Sequence, residues 1–116
     1  MEPTVVVISA DGALRRALVS RLGRAVSIAA EVRSDFTSGR RLTTSDILII
    51  PAAELSPARC RALALEGLHV VVLAALPRQA DEQSYLDAGA EAYLPMTVDP
   101  APLVEAIGRI STVLTG

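Results

Sequence analysis

The stretch Asp46-Ile47-Leu48-Ile49-Ile50-Pro51 decides the fold, because its four central residues are all aliphatic, with no polar residue alternating between them. A strand of this kind is buried on both faces, which is typical of a parallel sheet covered by helices on each side. Val5 to Ile8 and Val70 to Ala75 have the same character. The sequence therefore predicts three central parallel strands, and the rest of the chain supplies edges and covering helices.

Two weaker segments predict the edge strands. Val26 to Val32 places apolar residues at every second position, and Ala92 to Leu94 is very short. The polar segment from Arg33 to Ser45, between the second and third strands, predicts only a short or irregular helix. Four other helices are predicted from their capping residues: from Asp11 to Gly23, from Ser56-Pro57 to Gly67, from Ala80 to Ala88 before Gly89, and from Asp99-Pro100 onward.

The predicted elements alternate as five successive strand–helix units. Right-handed crossovers with three buried and two edge strands are satisfied by the strand order 2-1-3-4-5. We therefore predict a doubly wound α/β fold, a flavodoxin-like three-layer sandwich. Residues 1–116 are expected to form one domain, because this is an ordinary length for a single core.

The composition excludes several classes of protein. The net charge of -2 gives no basic footprint for direct contact with nucleic acid. Cys60 is the only cysteine, so neither an internal disulfide nor a cysteine-based metal cluster is possible. No apolar run reaches the roughly 18 residues of a membrane span, and the start of the chain does not resemble a signal peptide. We expect a cytoplasmic protein that needs no cofactor.

Three segments resemble, in the right order and at the right spacing, the receiver domain of bacterial response regulators. Asp87-Ala88-Gly89-Ala90-Glu91-Ala92-Tyr93-Leu94 is similar to the family's passage into its fifth strand, and Asp99 to Ile107 is similar to its last helix. Asp46 to Ile50 is similar to its third strand. The resemblance covers nearly the whole chain and implies a signalling domain of a two-component system. It also implies transcription regulation, with a possible DNA-binding output domain beyond residue 116.

The residues that receivers use for phosphorylation are replaced in this chain. The chemistry needs a carboxylate nucleophile, an acidic pair for Mg²⁺, a hydroxyl and a lysine, because a metal and an ammonium must neutralise the anions brought together. No lysine occurs anywhere in the sequence. By the resemblance, the acidic pair falls on Ser9 and Ala10, the nucleophile on Pro51, the hydroxyl on Ala74 and the lysine on Met96.

These replacements predict a pseudo-receiver, a receiver-like domain that cannot be phosphorylated. The side chain of Pro51 has no oxygen and cannot form an acyl phosphate. Asp11 is the only charge predicted at this edge of the sheet, and one carboxylate is too little to hold Mg²⁺. We interpret Asp11 as the cap of the first helix, and we expect no metal site.

An enzymatic function is not expected. Ser9 could serve as a nucleophile only with a base, but the only histidine, His69, is predicted at the opposite end of the sheet. The segment after the first strand lacks the glycine spacing of a phosphate-binding loop. Cys60 is interpreted as a small packed hydrophobe on its helix.

Two functions stay open at this point. The first is signalling by protein contact, as a homodimer or with a protein partner, through the helix before the fifth strand, that strand and the last helix. The alternative is control by an apolar metabolite bound in the crevice at the carboxyl ends of the strands. The candidate contact residues are Tyr93, Val98, Leu103, Val104 and Ile107. Tyr93 is equally well interpreted as a half-buried residue of the edge strand, and the apolar residues of the last helix as core alone or as core plus a dimer face.

Overall fold

Five parallel strands form one sheet in the order β2-β1-β3-β4-β5, as the sequence predicts. The computed structural model describes residues 3–25, 30–35, 39–96 and 99–115. The strands are β1 (Thr4–Ile8), β2 (Ala30–Arg33), β3 (Asp46–Pro51), β4 (His69–Ala74) and β5 (Ala92–Pro95). The α-helices are α1 (Gly12–Ala25), α2 (Pro57–Leu65), α3 (Gln79–Asp87) and α4 (Ala101–Thr115), and a 3₁₀ turn spans Ala52–Glu54.

The core lies on both faces of the sheet. On one face, alternate residues of the central strands pack against α2 and α3, and on the other face the intervening residues pack against α1 and α4. All residues of β3 are buried, which agrees with the continuous apolar run in its sequence. The structure therefore has the three layers of a doubly wound fold.

The helix caps confirm three of the predicted starts. Asp11 Oδ1 accepts hydrogen bonds from the backbone N–H groups of Ala13 and Leu14, at 3.0 and 3.2 Å. Ser56 Oγ accepts one from Arg59 N at 3.1 Å, and Asp99 Oδ1 accepts one from Ala101 N at 3.0 Å. Each cap satisfies a backbone donor that the first turn of a helix leaves without a partner.

Gly23 does not end α1, contrary to the prediction, because the helix continues to Ala25. A glycine inside a helix costs about 1 kcal/mol relative to alanine, which is not enough to stop a helix. Gly67 and Gly89 do follow α2 and α3 in the left-handed region, with φ of 84° and 105°. The sequence thus placed two of the three glycine stops correctly.

The connection between β2 and β3 contains no helix among its described residues, 34–35 and 39–45. Hydrogen bonds of buried charged residues hold it instead: Arg33 Nη2 donates to the carbonyl of Arg40 at 2.5 Å, and Arg40 pairs with Asp46 at 2.7 Å. Residues 26–29 of the predicted second strand lie outside the described residues. Within the described part of the chain, no helix has the length and apolar character needed to cross a membrane.

Candidate functional site

The phosphorylation-site positions named from the sequence meet at one edge of the sheet. Ser9 directly follows β1, Pro51 is the last residue of β3 and Ala74 is the last residue of β4. Met96 follows β5, and its backbone N–H donates to the carbonyl of Ala74 at 2.8 Å. Because the strands are parallel, all of these residues lie at the carboxyl edge, where open doubly wound sheets bind ligands.

Glu54 is the central residue of this edge, and the sequence analysis missed it. Ser9 Oγ donates to Glu54 Oε2 at 2.5 Å, and the backbone N–H of Ala10 donates to Glu54 Oε1 at 2.6 Å. Both carboxylate oxygens therefore accept hydrogen bonds from the loop between β1 and α1. A carboxylate of the chain itself is bound at the edge where receivers bind phosphate and metal.

The loop that binds Glu54 is held by its own hydrogen bonds. Ser9 is fully buried, and its Oγ accepts from the backbone N–H of Asp11 at 3.0 Å while it donates to Glu54. Arg15 Nη1 donates to the carbonyl of Ser9 at 2.5 Å and brings a positive charge to the loop. Asp11 uses its carboxylate to cap α1, which confirms the interpretation made from the sequence.

The expectation that Asp11 is the only charge at this edge is therefore wrong. Glu54 and Arg15 also lie there, because the 3₁₀ turn carries Glu54 back toward β1 and the first turn of α1 carries Arg15 toward Ser9. The described residues nevertheless contain no group of three or more His, Cys, Asp or Glu side chains that could hold a metal ion. Glu54, Arg15 and Asp11 are each hydrogen-bonded to the loop between β1 and α1 or to the first turn of α1.

Tyr85 connects the Glu54 turn to α3. Its single hydroxyl proton is shared between the carbonyl oxygens of Leu55, just after the turn, and of Ala52, at its start, the second 3.1 Å away. Burial raises the pKa of Tyr85, and the nearby Asp81 carboxylate raises it further, so the hydroxyl stays protonated at neutral pH. The Tyr85 hydroxyl therefore remains a hydrogen-bond donor at neutral pH, and it holds the Ala52–Glu54 turn against α3.

Tyr93 lies against Tyr85 and is buried. The two rings stack with centroids 5.7 Å apart, and the Tyr93 hydroxyl accepts a hydrogen bond from Arg78 N at 3.3 Å. Only 8% of Tyr93 is exposed. In place of the exposed aromatic expected on a contact surface, Tyr93 extends the core toward the loop before α3.

The predicted contact surface needs correction at three of its five residues. Leu103 and Ile107 are buried in the core because α4 turns them toward β1 and β3, and Tyr93 is buried in the core on the other face of the sheet. Val104 is half-buried and stays accessible, and Val98 lies outside the described residues. The breadth of the apolar stripe on α4 reflects core packing.

One residue of the crevice predicted for a metabolite, Met96, borders a small cavity. Near Met96 the described residues enclose a cavity of about 20 Å³, bounded mainly by Leu18, Leu73, Pro95 and Leu103. Ligand pockets usually measure about 300 to 1,000 Å³, whereas a cavity of this size holds about one water molecule. The cavity beside Met96 is therefore too small for a metabolite, and the other residues predicted for the crevice, Ser9, Ala10, Pro51 and Ala74, do not line it.

His69 and Cys60 lie where the sequence predicts. His69 begins β4 at the amino edge, opposite Ser9, and its Nδ1 is 3.0 Å from Glu91 Oε1. Cys60 is fully buried on α2, and burial raises the pKa of its thiol. Neither residue contributes to the carboxyl edge.

The topology is that of a receiver fold, and comparison with solved structures finds the same fold. A response regulator receiver protein from Pseudoalteromonas atlantica has a TM-score of 0.77 and 17% identity, covering 93% of this chain and 96% of that chain. A response regulator from Thermotoga maritima has a TM-score of 0.78 and 18% identity, covering 97% and 99%.

Another similar structure belongs to a protein that is not described as a response regulator. A putative pilus assembly protein (cpaE) from Burkholderia thailandensis has a TM-score of 0.80 and 20% identity, covering 95% of this chain and 98% of that chain. The sequence matches no protein-family model and no curated protein. At these identities the likeness establishes the flavodoxin-like receiver fold and leaves the activity to be argued from the site.

Proposed function

We propose that this chain is a receiver-like signalling domain of the cytoplasm that acts through protein contacts, without phosphorylation and without enzymatic activity. The observation that carries the proposal is the Glu54 carboxylate bound by Ser9 Oγ and Ala10 N, at an edge where β3 ends in Pro51. At the two positions where a receiver holds Mg²⁺ with carboxylates, this chain has hydrogen-bond donors, and they bind an internal anion. A phosphoryl group bound at this edge would be repelled by the Glu54 carboxylate, and the chain has no lysine to neutralise its charge.

The test is titration with beryllofluoride and Mg²⁺, which together imitate an acyl phosphate at a carboxylate. We expect no saturable change in the amide spectrum of the chain, because Pro51 offers no oxygen for beryllium. A receiver with an intact acidic pair and lysine is the positive control under the same conditions. Saturable shifts at Ser9, Ala10 and the Ala52–Glu54 turn would contradict the proposal.

The contact surface that we propose lies between α3 and β5. A depression of about 260 Å³ there is lined by side chains from both elements and from the loop before α3: Pro77, Arg78, Gln79, Glu82, Tyr93 and Pro95. Because Tyr93 forms its floor and contacts Tyr85, this surface is continuous with the Glu54 turn through two stacked rings. A partner protein bound there would contact a depression whose floor is already held in place by the stacked Tyr85 and Tyr93 rings.

The output that we propose is transcription regulation, as the receiver resemblance implies. The name of the pilus assembly neighbour points to another output on the same fold. A helix-turn-helix segment encoded directly after residue 116 would support transcription regulation, and a different adjoining domain would contradict it.

Metabolite control remains the alternative function, although the cavity beside Met96 does not support it. The cavity of about 20 Å³ at the carboxyl edge is far below the size of a ligand pocket. A thermal-shift screen against metabolites tests it directly, because a ligand at 100 times its dissociation constant stabilises a protein by about 2.7 kcal/mol. We expect flat melting temperatures, and a reproducible rise that Met96→Lys abolishes would favour the alternative.

A further inference from the structure

The charges of the chain are distributed unevenly. Residues 1–61 contain nine arginines and six acidic residues, whereas residues 62–116 contain two arginines and seven acidic residues. The strand order places β1 and β2 on one side of β3, and β4 and β5 on the other. One side of the sheet is therefore rich in arginine and the other in carboxylates, which the near-neutral total conceals.

The outward face of α2 carries an apolar stripe beside the exposed Arg61, and it lies between these two sides. Ala58, Ala62 and Leu65 recur at the spacing that places residues on one face of a helix, opposite the buried Cys60 and Leu63. All three are exposed, and Leu65 is 81% exposed. An exposed apolar stripe on an otherwise polar surface is typical of a contact between proteins.

A basic groove flanks α2 on the side of β1 and β2. It has a volume of about 850 Å³, with Leu42, Leu63 and Leu68 among its lining residues. Three arginines and a single acidic residue, Glu66, line it as well. The groove lies where a doubly wound fold usually packs the helix that joins the second and third strands, and the described residues of that connection are not helical. The arginines are Arg40, which is paired with the buried Asp46, and Arg41 and Arg59, which leave the groove with a net positive charge beside Glu66.

An acidic helix flanks α2 on the other side. α3 packs beside α2, and Gly89 at its end lies so close to Ala64 that an added Cβ would be 2.7 Å from the Ala64 Cβ. Asp81 and Asp87 are exposed on α3. Across this face of the molecule the order is therefore a basic groove, an apolar stripe and an acidic helix.

We infer that this face binds a second copy of the chain, about a two-fold axis that runs alongside the exposed stripe of α2 and parallel to the helix. Such an axis brings the Ala58, Ala62 and Leu65 stripes together and lays α3 of each copy over the groove of the other. A two-fold interface must be complementary to itself, and the basic, apolar and acidic bands meet that condition. This inference rests on the protein-contact part of the proposed function, and it leaves the α3–β5 depression to a different partner.

The test is sedimentation of the 1–116 chain over a concentration series. We expect a monomer–dimer equilibrium in which Leu65→Glu, Arg41→Glu and Asp81→Arg each raise the dimer dissociation constant about tenfold or more, since each places like charges or a buried charge at the interface. Combining Arg41→Glu with Asp81→Arg restores opposite charges, so the double variant dimerises more tightly than either single variant.

Arg16→Glu is the matched control, because Arg16 is exposed on α1, on the other face of the sheet, and undergoes the same charge reversal. Circular dichroism confirms that each variant folds. A chain that stays monomeric at every concentration, or a dimer that responds equally to Arg41→Glu and Arg16→Glu, overturns the inference. The beryllofluoride titration is independent of this result, so the two proposals fail separately.

Discussion

Ser9 and Glu54 decide the character of the carboxyl edge, although they are 45 residues apart in sequence. A buried hydroxyl needs a partner, and an anion gains from donors that point at it, so each residue satisfies the other. The short 3₁₀ turn after Pro51 makes the contact possible by reversing the chain toward β1. The edge is therefore closed by the protein's own side chains.

Ser9→Ala tests this contact. The change removes the hydrogen bond to Glu54 and the one accepted from Asp11 N, so we expect the free energy of unfolding to fall by about 1 to 2 kcal/mol in urea titrations. Ser20→Ala on the exposed side of α1 is the control and should be neutral or slightly stabilising. Equal effects of the two changes would mean that the Ser9 contact contributes nothing.

Asp46→Asn tests the ion pair at the start of β3. Burial raises the pKa of Asp46, but hydrogen bonds from Arg40 and Thr43 and the charge of Arg40 outweigh this and hold the pKa below its ordinary value. A lowered pKa means that Asp46 stabilises the fold above the pKa of the unfolded chain and loses this effect as the pH falls through the folded pKa.

We therefore expect Asp46→Asn to reduce stability by about 1 to 3 kcal/mol at pH 7, less than for a fully buried pair because Arg40 is partly exposed. The difference from the unchanged chain should shrink as the pH is lowered below about 4. Urea titrations at several pH values measure it. A gap that stays constant with pH would show that packing, and not charge, makes Asp46 important.

At the residue scale the sequence predicted positions better than contacts. The place of Pro51 and of Ala74 follows from the ends of apolar runs, which are visible in the sequence. Glu54 could not be predicted in the same way, because its role depends on a turn with no capping signature of its own. The only signal was a carboxylate three residues beyond the strand, and an exposed glutamate in a loop is usually unremarkable.

Most helices and strands were predictable because the capping residues and the periodicity of apolar residues indicated the same boundaries. Ser56-Pro57 and Asp99-Pro100 each combine a capping side chain with a proline that preorganises the first turn, and both mark helix starts in the structure. The exception, Gly23, shows that glycine alone does not mark a helix end. What distinguishes Gly89 from Gly23 is a backbone conformation that only the folded chain reveals.

Gly89 and Gly108 give opposite predictions for the same substitution. Gly89 has a φ of 105°, and a Cβ there would lie 2.7 Å from the Ala64 Cβ, so Gly89→Ala should destabilise by about 1 to 3 kcal/mol. Gly108 is exposed within α4 with nothing within 4 Å of an added Cβ, so Gly108→Ala should stabilise by about 0.5 to 1 kcal/mol. Urea titrations measure both, and effects of the same sign would contradict this account of α3 and α4.

For the whole molecule, the strand order followed from the sequence because three apolar runs and two weaker ones leave few arrangements with right-handed crossovers. The connection between β2 and β3 was the least certain segment, since its polar residues have no period. The structure shows the reason in its described part: Arg33, Arg40 and Asp46 organise it through hydrogen bonds to one another and to the backbone. Such a network leaves no periodic pattern.

Cys60 makes the integrity of the fold measurable. Because its thiol is fully buried and burial raises its pKa, a thiol reagent should react with the native chain at least about a thousandfold more slowly than with the chain in denaturant. The labelling rate then reports global opening, and it should rise in Gly89→Ala and fall in Gly108→Ala. Rapid labelling of the native chain would show that α2 separates easily from the sheet.

The uneven placement of arginines and carboxylates across the sheet also gives the molecule an electric dipole. A charged body approaching from solution exerts a torque on such a molecule once it comes within the Debye length, about 8 Å at physiological ionic strength. The domain therefore turns its arginine-rich side toward an anionic neighbour before the two surfaces touch. The encounter begins in an orientation that the charges have already selected.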